Sequence, residues 1–203
     1  MDFKVKTTRK DFYRYKSDLI DAGYRQLGHG AFASVWAKPY SKTVLKIGYV
    51  DNNESYLQFV KKSVKKNNPY FPKFFAITIF EHKGSPDYFV LEMERLRPLP
   101  RKVDFCFDVT DDNKYISNPV GQYAHALLTD LHLTQRVAQR ISNKLKIKLT
   151  PVNQEARAAC SKVLDRLLRK WRGDFHDRNI MLRKEKTFST LVFTDPVWDA
   201  DAI

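Results

Sequence analysis

The sequence predicts an α+β fold in two lobes, strand-rich first and helix-rich second. Three observations predict it. Short β-like runs crowd the first half, separated by Gly, Pro, Asn and Ser. Long helical periodicities dominate the second half. The stiff, proline-marked stretch "RPLPR" stands between them as a connector. On this division residues 1–96 form one lobe and residues 97–203 the other, and the junction of two such lobes is a natural ligand cleft. A chain of 203 residues with 43% hydrophobic and 13% aromatic side chains has the material for a real core, which excludes wholesale disorder.

The elements follow in order. Thr8 and Asp11 resemble a helix N-cap, and Phe12, Tyr15, Leu19 and Ile20 then recur at helical spacing until Gly23. Five β-like runs come next: "YRQL" (24–27), "ASVWA" (33–37), "TVLKIG" (43–48), "FFAITIF" (74–80) and "DYFVLEM" (87–93). Between the third and fourth, "NNESYLQFVKKSVKK" places Tyr56, Phe59, Val60 and Val64 on one helical face. Beyond the connector, "DFCFDVTDDNKYISN" is acidic and irregular. One long helix is expected from Pro119, at an N1-like position after Asn118, to about Leu145, and a second from Pro151 to about Trp171. Two short strands, around Ile180–Leu182 and Thr190–Phe193, close the chain.

Charge narrows the partners. The formal net charge is +13, which suits something anionic: nucleic acid, nucleotide phosphates or an acidic protein face. The excess is spread over "KKSVKK", "KLKIK" and "RLLRKWR", each of which also reads as a solvated face. No nucleic-acid recognition module or zinc knuckle accompanies it, so specific nucleic-acid binding is not expected. Cys106 and Cys160 have neither metal spacing nor a disulfide framework and read as reduced core thiols. The N-terminus lacks the apolar region of a secretory signal, and no apolar run is long enough to span a bilayer, so a soluble cytoplasmic protein is expected.

Five stretches bear on chemistry. In "LGHGAFASVW", Gly28 and Gly30 fall between two β-like runs, where glycine lets backbone N–H groups approach a phosphate closely. The stretch is not a Walker loop. It follows the strand–turn–strand pattern G-x-G-x-F-x-x-V that covers nucleotide phosphates in kinases, although alone it is also an ordinary glycine hairpin. In "VLKIG", alternation puts Val44 and Lys46 on the face opposite Leu45 and Ile47, where Lys46 either meets solvent or neutralises phosphate oxygens beneath the flap. In "RGDFHDRN", Asp174 and Asn179 supply a carboxylate to accept a hydroxyl proton and an oxygen ligand for magnesium; His176 reads as a loop brace, and Asp177 and Arg178 as solvent-facing. In "LVFTDPVWD", Asp195 sits at a strand end, where a second magnesium ligand is required. In "YFVLEM", Leu91 falls near an adenine pocket, and Glu92 to Glu94 in the connection whose backbone would meet adenine.

The order of these motifs resembles the protein-kinase-like superfamily, and more narrowly the early serine/threonine protein kinases of podophages. The resemblance rests on "GYRQLGHGAFASVWAKP…VLKIG", "FHDRNIM" and "TDPVW"; the middle of the chain matches only in helical texture. The loop at 172–179 is also similar to the H-G-D-x-H-x-x-N loop of aminoglycoside and choline phosphotransferases. The resemblance implies a compact two-lobed kinase-like fold, its helical lobe truncated after the metal-binding aspartate. It also implies ATP and Mg2+ as cofactors, Asp174 as catalytic base, Lys46 as the phosphate-binding lysine, and Asn179 and Asp195 as metal ligands. Gly28, Gly30, Glu92 and Glu94 would complete the nucleotide site. Host proteins, including the transcription machinery, are the implied substrates, in the bacterial cytoplasm.

Departures accompany it. The third flap glycine is Ala33, and Pro196 and Val197 follow Asp195 where Phe-Gly is usual. Glu54 is the only acidic residue well placed to pair with Lys46, and reads equally as an exposed first-turn glutamate. Eight residues follow Asp195, too few for an activation segment, so an alternative is a kinase-fold protein that binds and inhibits an acidic host protein without catalysis.

Overall fold

The structure is a computed structural model that describes residues 3–64, 66–99, 119–170, 172–173 and 179–198. They form a mixed α+β protein that divides into two compact units: Met1–Lys65 with Lys73–Arg95, and Lys66–Pro72 with Leu96–Trp198. The changeover at Arg95 and Leu96 lies beside the expected boundary, while the assignment of Lys66–Pro72 to the second unit was not anticipated.

The first unit is a six-stranded sheet between two helices. Its elements are β1 (Phe3–Thr8), α1 (Phe12–Asp21), β2 (Arg25–His29), β3 (Ala33–Ala37), β4 (Thr43–Tyr49), α2 (Glu54–Ser63), β5 (Phe74–His82) and β6 (Tyr88–Glu94). The strand order is β1-β5-β6-β4-β3-β2. Asp11 caps α1 by accepting from the Arg14 amide at 2.7 Å. Gly23, at φ +82°, ends it in a left-handed turn that few other residues adopt. The unforeseen element is β1, which pairs parallel to β5 from Phe3↔Ile77 to Thr8↔His82. Its alternation of Phe3, Val5 and Thr7 with lysines suits an edge strand, so Thr8 belongs to the strand rather than the helix cap.

Alternation gives each sheet face its own core. Trp36, Ile47, Tyr88 and Val90 pack with Phe12 and Leu19 of α1. On the other face Tyr56 and Phe59 of α2 meet Phe89 and Phe74, with ring centroids 6.3 and 6.1 Å apart. Burying such rings on both faces makes this a true three-layer core.

The second unit comprises β7 (Arg97–Pro98), α3 (Pro119–Thr129), α4 (Leu131–Leu145), α5 (Gln154–Leu168), β8 (Arg172–Gly173), β9 (Ile180–Lys184), β10 (Ser189–Phe193) and β11 (Val197–Trp198). The helix expected over 119–145 is two. Asp130 adopts an extended conformation and its side chain accepts from the Leu133 amide, so it ends one helix and caps the next. Likewise α5 starts at Gln154, because Asn153, not Thr150, accepts from the Ala156 amide at 2.8 Å. Among the described residues no helix is long and apolar enough to cross a membrane.

Candidate functional site

In the first unit the strand pair β2–β3 carries the glycines. Gly28 lies inside β2, opposite Val35, beside a register irregularity between Gln26 and Gly28. The Gly30 amide donates to the Ala33 carbonyl at 2.8 Å, closing the turn. A Cβ on Gly28 would meet nothing within 4 Å, and one on Gly30 only the Ala33 carbonyl at 3.9 Å. Among the described residues neither glycine is forced by the packing around it.

Lys46 lies on β4 between Val35 of β3 and Leu91 of β6, its direct partners in the ladders. Cross-strand partners share a face, so Val35, Lys46 and Leu91 form one row across three strands. Ile47 goes to the α1 core, as alternation requires. Lys46 is only 8% exposed, so its side chain does not face open solvent. Its ammonium sits over the ring of Tyr56, 3.3 Å from the centroid. Glu54, two residues earlier, is exposed in the first turn of α2, where the helix dipole favours a carboxylate.

Two residues, Asn53 and Gly48, tie this region together, and sequence reasoning missed both. Asn53, 5% exposed, donates to the Phe32 carbonyl at 3.1 Å and the Tyr49 carbonyl at 2.8 Å. The turn of the glycine flap is thereby fastened to the end of the lysine strand. Gly48 makes room for it: a Cβ there would lie 2.6 Å from the Phe32 carbonyl oxygen.

Glu92 and Glu94 correct an expectation. They lie within β6, not in the connection after it: Glu92 pairs with Leu45 and Ala76, and Glu94 with Thr43. Glu94 also exchanges contacts with Lys73, its amide donating to the Lys73 carbonyl at 2.9 Å and its carboxylate accepting the Lys73 amide at 3.1 Å. The ladder to β4 runs one residue further than the run that marked the strand, so the connection begins at Arg95.

In the second unit the hairpin β9–β10 pairs Ile180 with Phe193. Asn179 stands just before β9 and Asp195 just after β10, both partly buried. The Thr194 amide donates to the Asn179 carbonyl at 2.8 Å, which carries the hairpin one step further and sets the two expected metal ligands on neighbouring backbone. The short ladder β8–β11 pairs Gly173 with Val197. The two ends of the stretch 174–178, Gly173 and Asn179, are therefore both held to the segment 194–197. Asp174, His176, Asp177 and Arg178 lie outside the described residues, as does Cys106. Among the described residues no group of three His, Cys, Asp or Glu side chains forms a metal cluster; the amide oxygen of Asn179 and the carboxylate of Asp195 are hard oxygen donors that fit magnesium, which keeps several of its other ligands as water.

The core behind this hairpin is aromatic. Tyr123 stacks on Phe193 with centroids 6.4 Å apart, and Cys160 is a buried free thiol whose ionisation is pushed well up by burial. A cavity of about 50 Å³ among Tyr70, Tyr123, Asn153 and Thr190 has room for water, far below the roughly 300–1,000 Å³ of a small-molecule site.

No protein-family model matches the chain, and no curated protein matches it. The functional weight falls on the residues themselves.

Proposed function

We propose that the chain is a compact phosphotransferase of protein-kinase-like fold, dependent on ATP and magnesium, that acts on Ser or Thr hydroxyls of proteins. The carrying observation is the pairing of the described residues that flank 174–178. The Gly173↔Val197 pair holds one end and the Asn179–Thr194 bond the other, both on the segment that bears Asp195. A metal-binding amide and a metal-binding carboxylate on neighbouring backbone, with a candidate base five residues before the amide in sequence, suit phosphoryl transfer, which depends on positioning and charge more than on covalent chemistry.

The first unit adds independent support. A glycine-bearing strand pair leads to a lysine on the next strand, and a helix follows that strand, the order in which kinase nucleotide sites use these parts. In this reading the backbone of Gly28 and Gly30 approaches the phosphates, Lys46 neutralises their oxygens, and Asn179 and Asp195 hold magnesium. Asp174 takes the proton of the attacking hydroxyl. Bound magnesium-ATP supplies the phosphoryl group and the counter-charge for its transfer. The resemblance to podophage kinases extends the proposal to host proteins in the bacterial cytoplasm, transcription machinery among them, and the +13 charge favours acidic surfaces on them.

The test is transfer from labelled ATP to the protein itself and to a bacterial extract, with and without EDTA. Wild type labels protein in a magnesium-dependent way. Asp174→Ala lowers the rate by about 10²-fold or more, the usual worth of a positioned proton acceptor. A wild type that labels nothing, or an Asp174→Ala variant that labels equally well, overturns the proposal.

A further inference from the structure

Lys46 is an ammonium taken almost wholly out of water, and a buried charge is tolerated only where its surroundings compensate it. One compensating group is the π face of Tyr56, 3.3 Å from the nitrogen to the ring centroid. That ring is itself held. Tyr56 is 2% exposed, its hydroxyl donates to Met93 Sδ at 3.7 Å, and Phe59 and Phe89 flank it at 6.1 and 6.3 Å. Met93 and Phe89 belong to β6, and so does Leu91, the ladder partner of Lys46. The ring therefore bridges α2 to the strand beside the lysine and cannot shift without disturbing that strand.

We propose that Tyr56 is the positioning residue for Lys46: its ring holds the ammonium in place and aimed, so that the lysine meets anionic phosphate oxygens ready-placed. The proposal rests on the nucleotide reading above. An aromatic face is suited to this work where a carboxylate is less so. It attracts the cation without cancelling its charge, and it does not saturate the three N–H donors of the ammonium. α2 thus acts on the lysine through a ring one turn inside the helix, and its docking and the lysine's aim become one property.

The experiment combines ATP affinity with an NMR reading of the contact. The Lys46 Cε protons of the wild type resonate upfield, in the ring current of Tyr56. Tyr56→Phe keeps that shift and binds ATP as the wild type does, since the face survives without the hydroxyl. Tyr56→Leu loses the shift and weakens ATP binding by about tenfold. Leu57→Val, which trims a buried residue of the same helix at a position that does not share the Tyr56 face, leaves ATP affinity unchanged and so separates aim from packing. In a Lys46→Met background the Tyr56→Leu effect on ATP vanishes, as coupling between the two residues requires. The proposal is overturned if Tyr56→Leu binds ATP as wild type does, if Leu57→Val loses as much, or if the tyrosine effect persists without the lysine. A wild type that shows the ring-current shift yet binds no ATP overturns the nucleotide reading instead, and with it any positioning role.

Discussion

Gly48 and Gly28 put glycine to opposite uses. A Cβ on Gly48 would strike the Phe32 carbonyl at 2.6 Å and the Asn53 side-chain nitrogen at 2.9 Å, a backbone atom and an amide fixed by two hydrogen bonds. Neither yields easily, so Gly48→Ala should destabilise the protein by about 1–3 kcal/mol, as overpacking does. Gly28 has nothing within 4 Å of a Cβ, and Gly28→Ala should change stability by less than about 0.5 kcal/mol while weakening ATP binding. Urea denaturation of the two variants checks the contrast, and equal losses would refute it. The spacing of Gly28 and Gly30 was legible in the sequence because motif glycines recur at short range. Gly48 was not, because what it avoids is a carbonyl on another turn. Lys46 repeats the lesson: alternation along "VLKIG" told which face it takes, but no local pattern told that Tyr56 would lie on it.

Elements with a strong period were the readable ones. The central strands and α2 follow from runs of apolar residues at period two or 3.6, and β9 and β10 from short apolar runs. What escaped was set by single polar residues or by distant partners. β1 exists because β5 offers an edge, β11 because Gly173 pairs with Val197, and the break at Asp130 because one carboxylate caps a helix. The segment Lys66–Pro72 is the clearest case. It is a proline-bearing link in sequence, yet it joins the second unit through its backbone. The Arg183 guanidinium donates to the Pro69 carbonyl at 2.6 Å and the Phe71 carbonyl at 2.8 Å. The Phe193 amide donates to the Tyr70 carbonyl, and the Tyr70 hydroxyl accepts the Asn153 amide. Arginine's planar fork serves two carbonyls at once, and lysine has no equivalent. Arg183→Lys should therefore cost about 1.5–3 kcal/mol, since bonds to a charged donor are lost and carbonyls left wanting. It should also open 66–72 to limited proteolysis before the rest of the chain. Unchanged cleavage and an unchanged urea midpoint would rule out this anchoring.

At the scale of the whole molecule, charge and buried phenols pull stability in opposite directions along the pH axis. The chain carries +13 at pH 7 and its sequence pI is near 9.7. Lowering the pH from there adds positive charge to a cationic chain, and self-repulsion opposes compactness unless salt screens it. Above pH 10 the phenols decide. Burial pushes the Tyr88 hydroxyl up to about 12, while an unfolded tyrosine ionises near 10. Between those values the unfolded chain has lost the proton and the folded one keeps it, so stability contributed below pH 10 is lost as pH rises through 12. Tyr15 and Tyr49 in the first unit, and Tyr70 and Tyr123 in the second, shift the same way by burial, so both units feel the alkaline loss. The thermal midpoint at low salt should climb from about pH 6 to about pH 9 and fall steeply from about 10 to 12. Added salt near 0.3 M should flatten the climb, since it screens repulsion over roughly a Debye length, and should leave the fall, since the buried phenols are shielded from it. Tyr88→Phe, which removes one late-ionising hydroxyl, should soften the fall alone. A midpoint that holds level from pH 10 to 12, or a Tyr88→Phe variant with an unaltered alkaline limb, would mean that the phenol cluster does not hold its protons in the folded state.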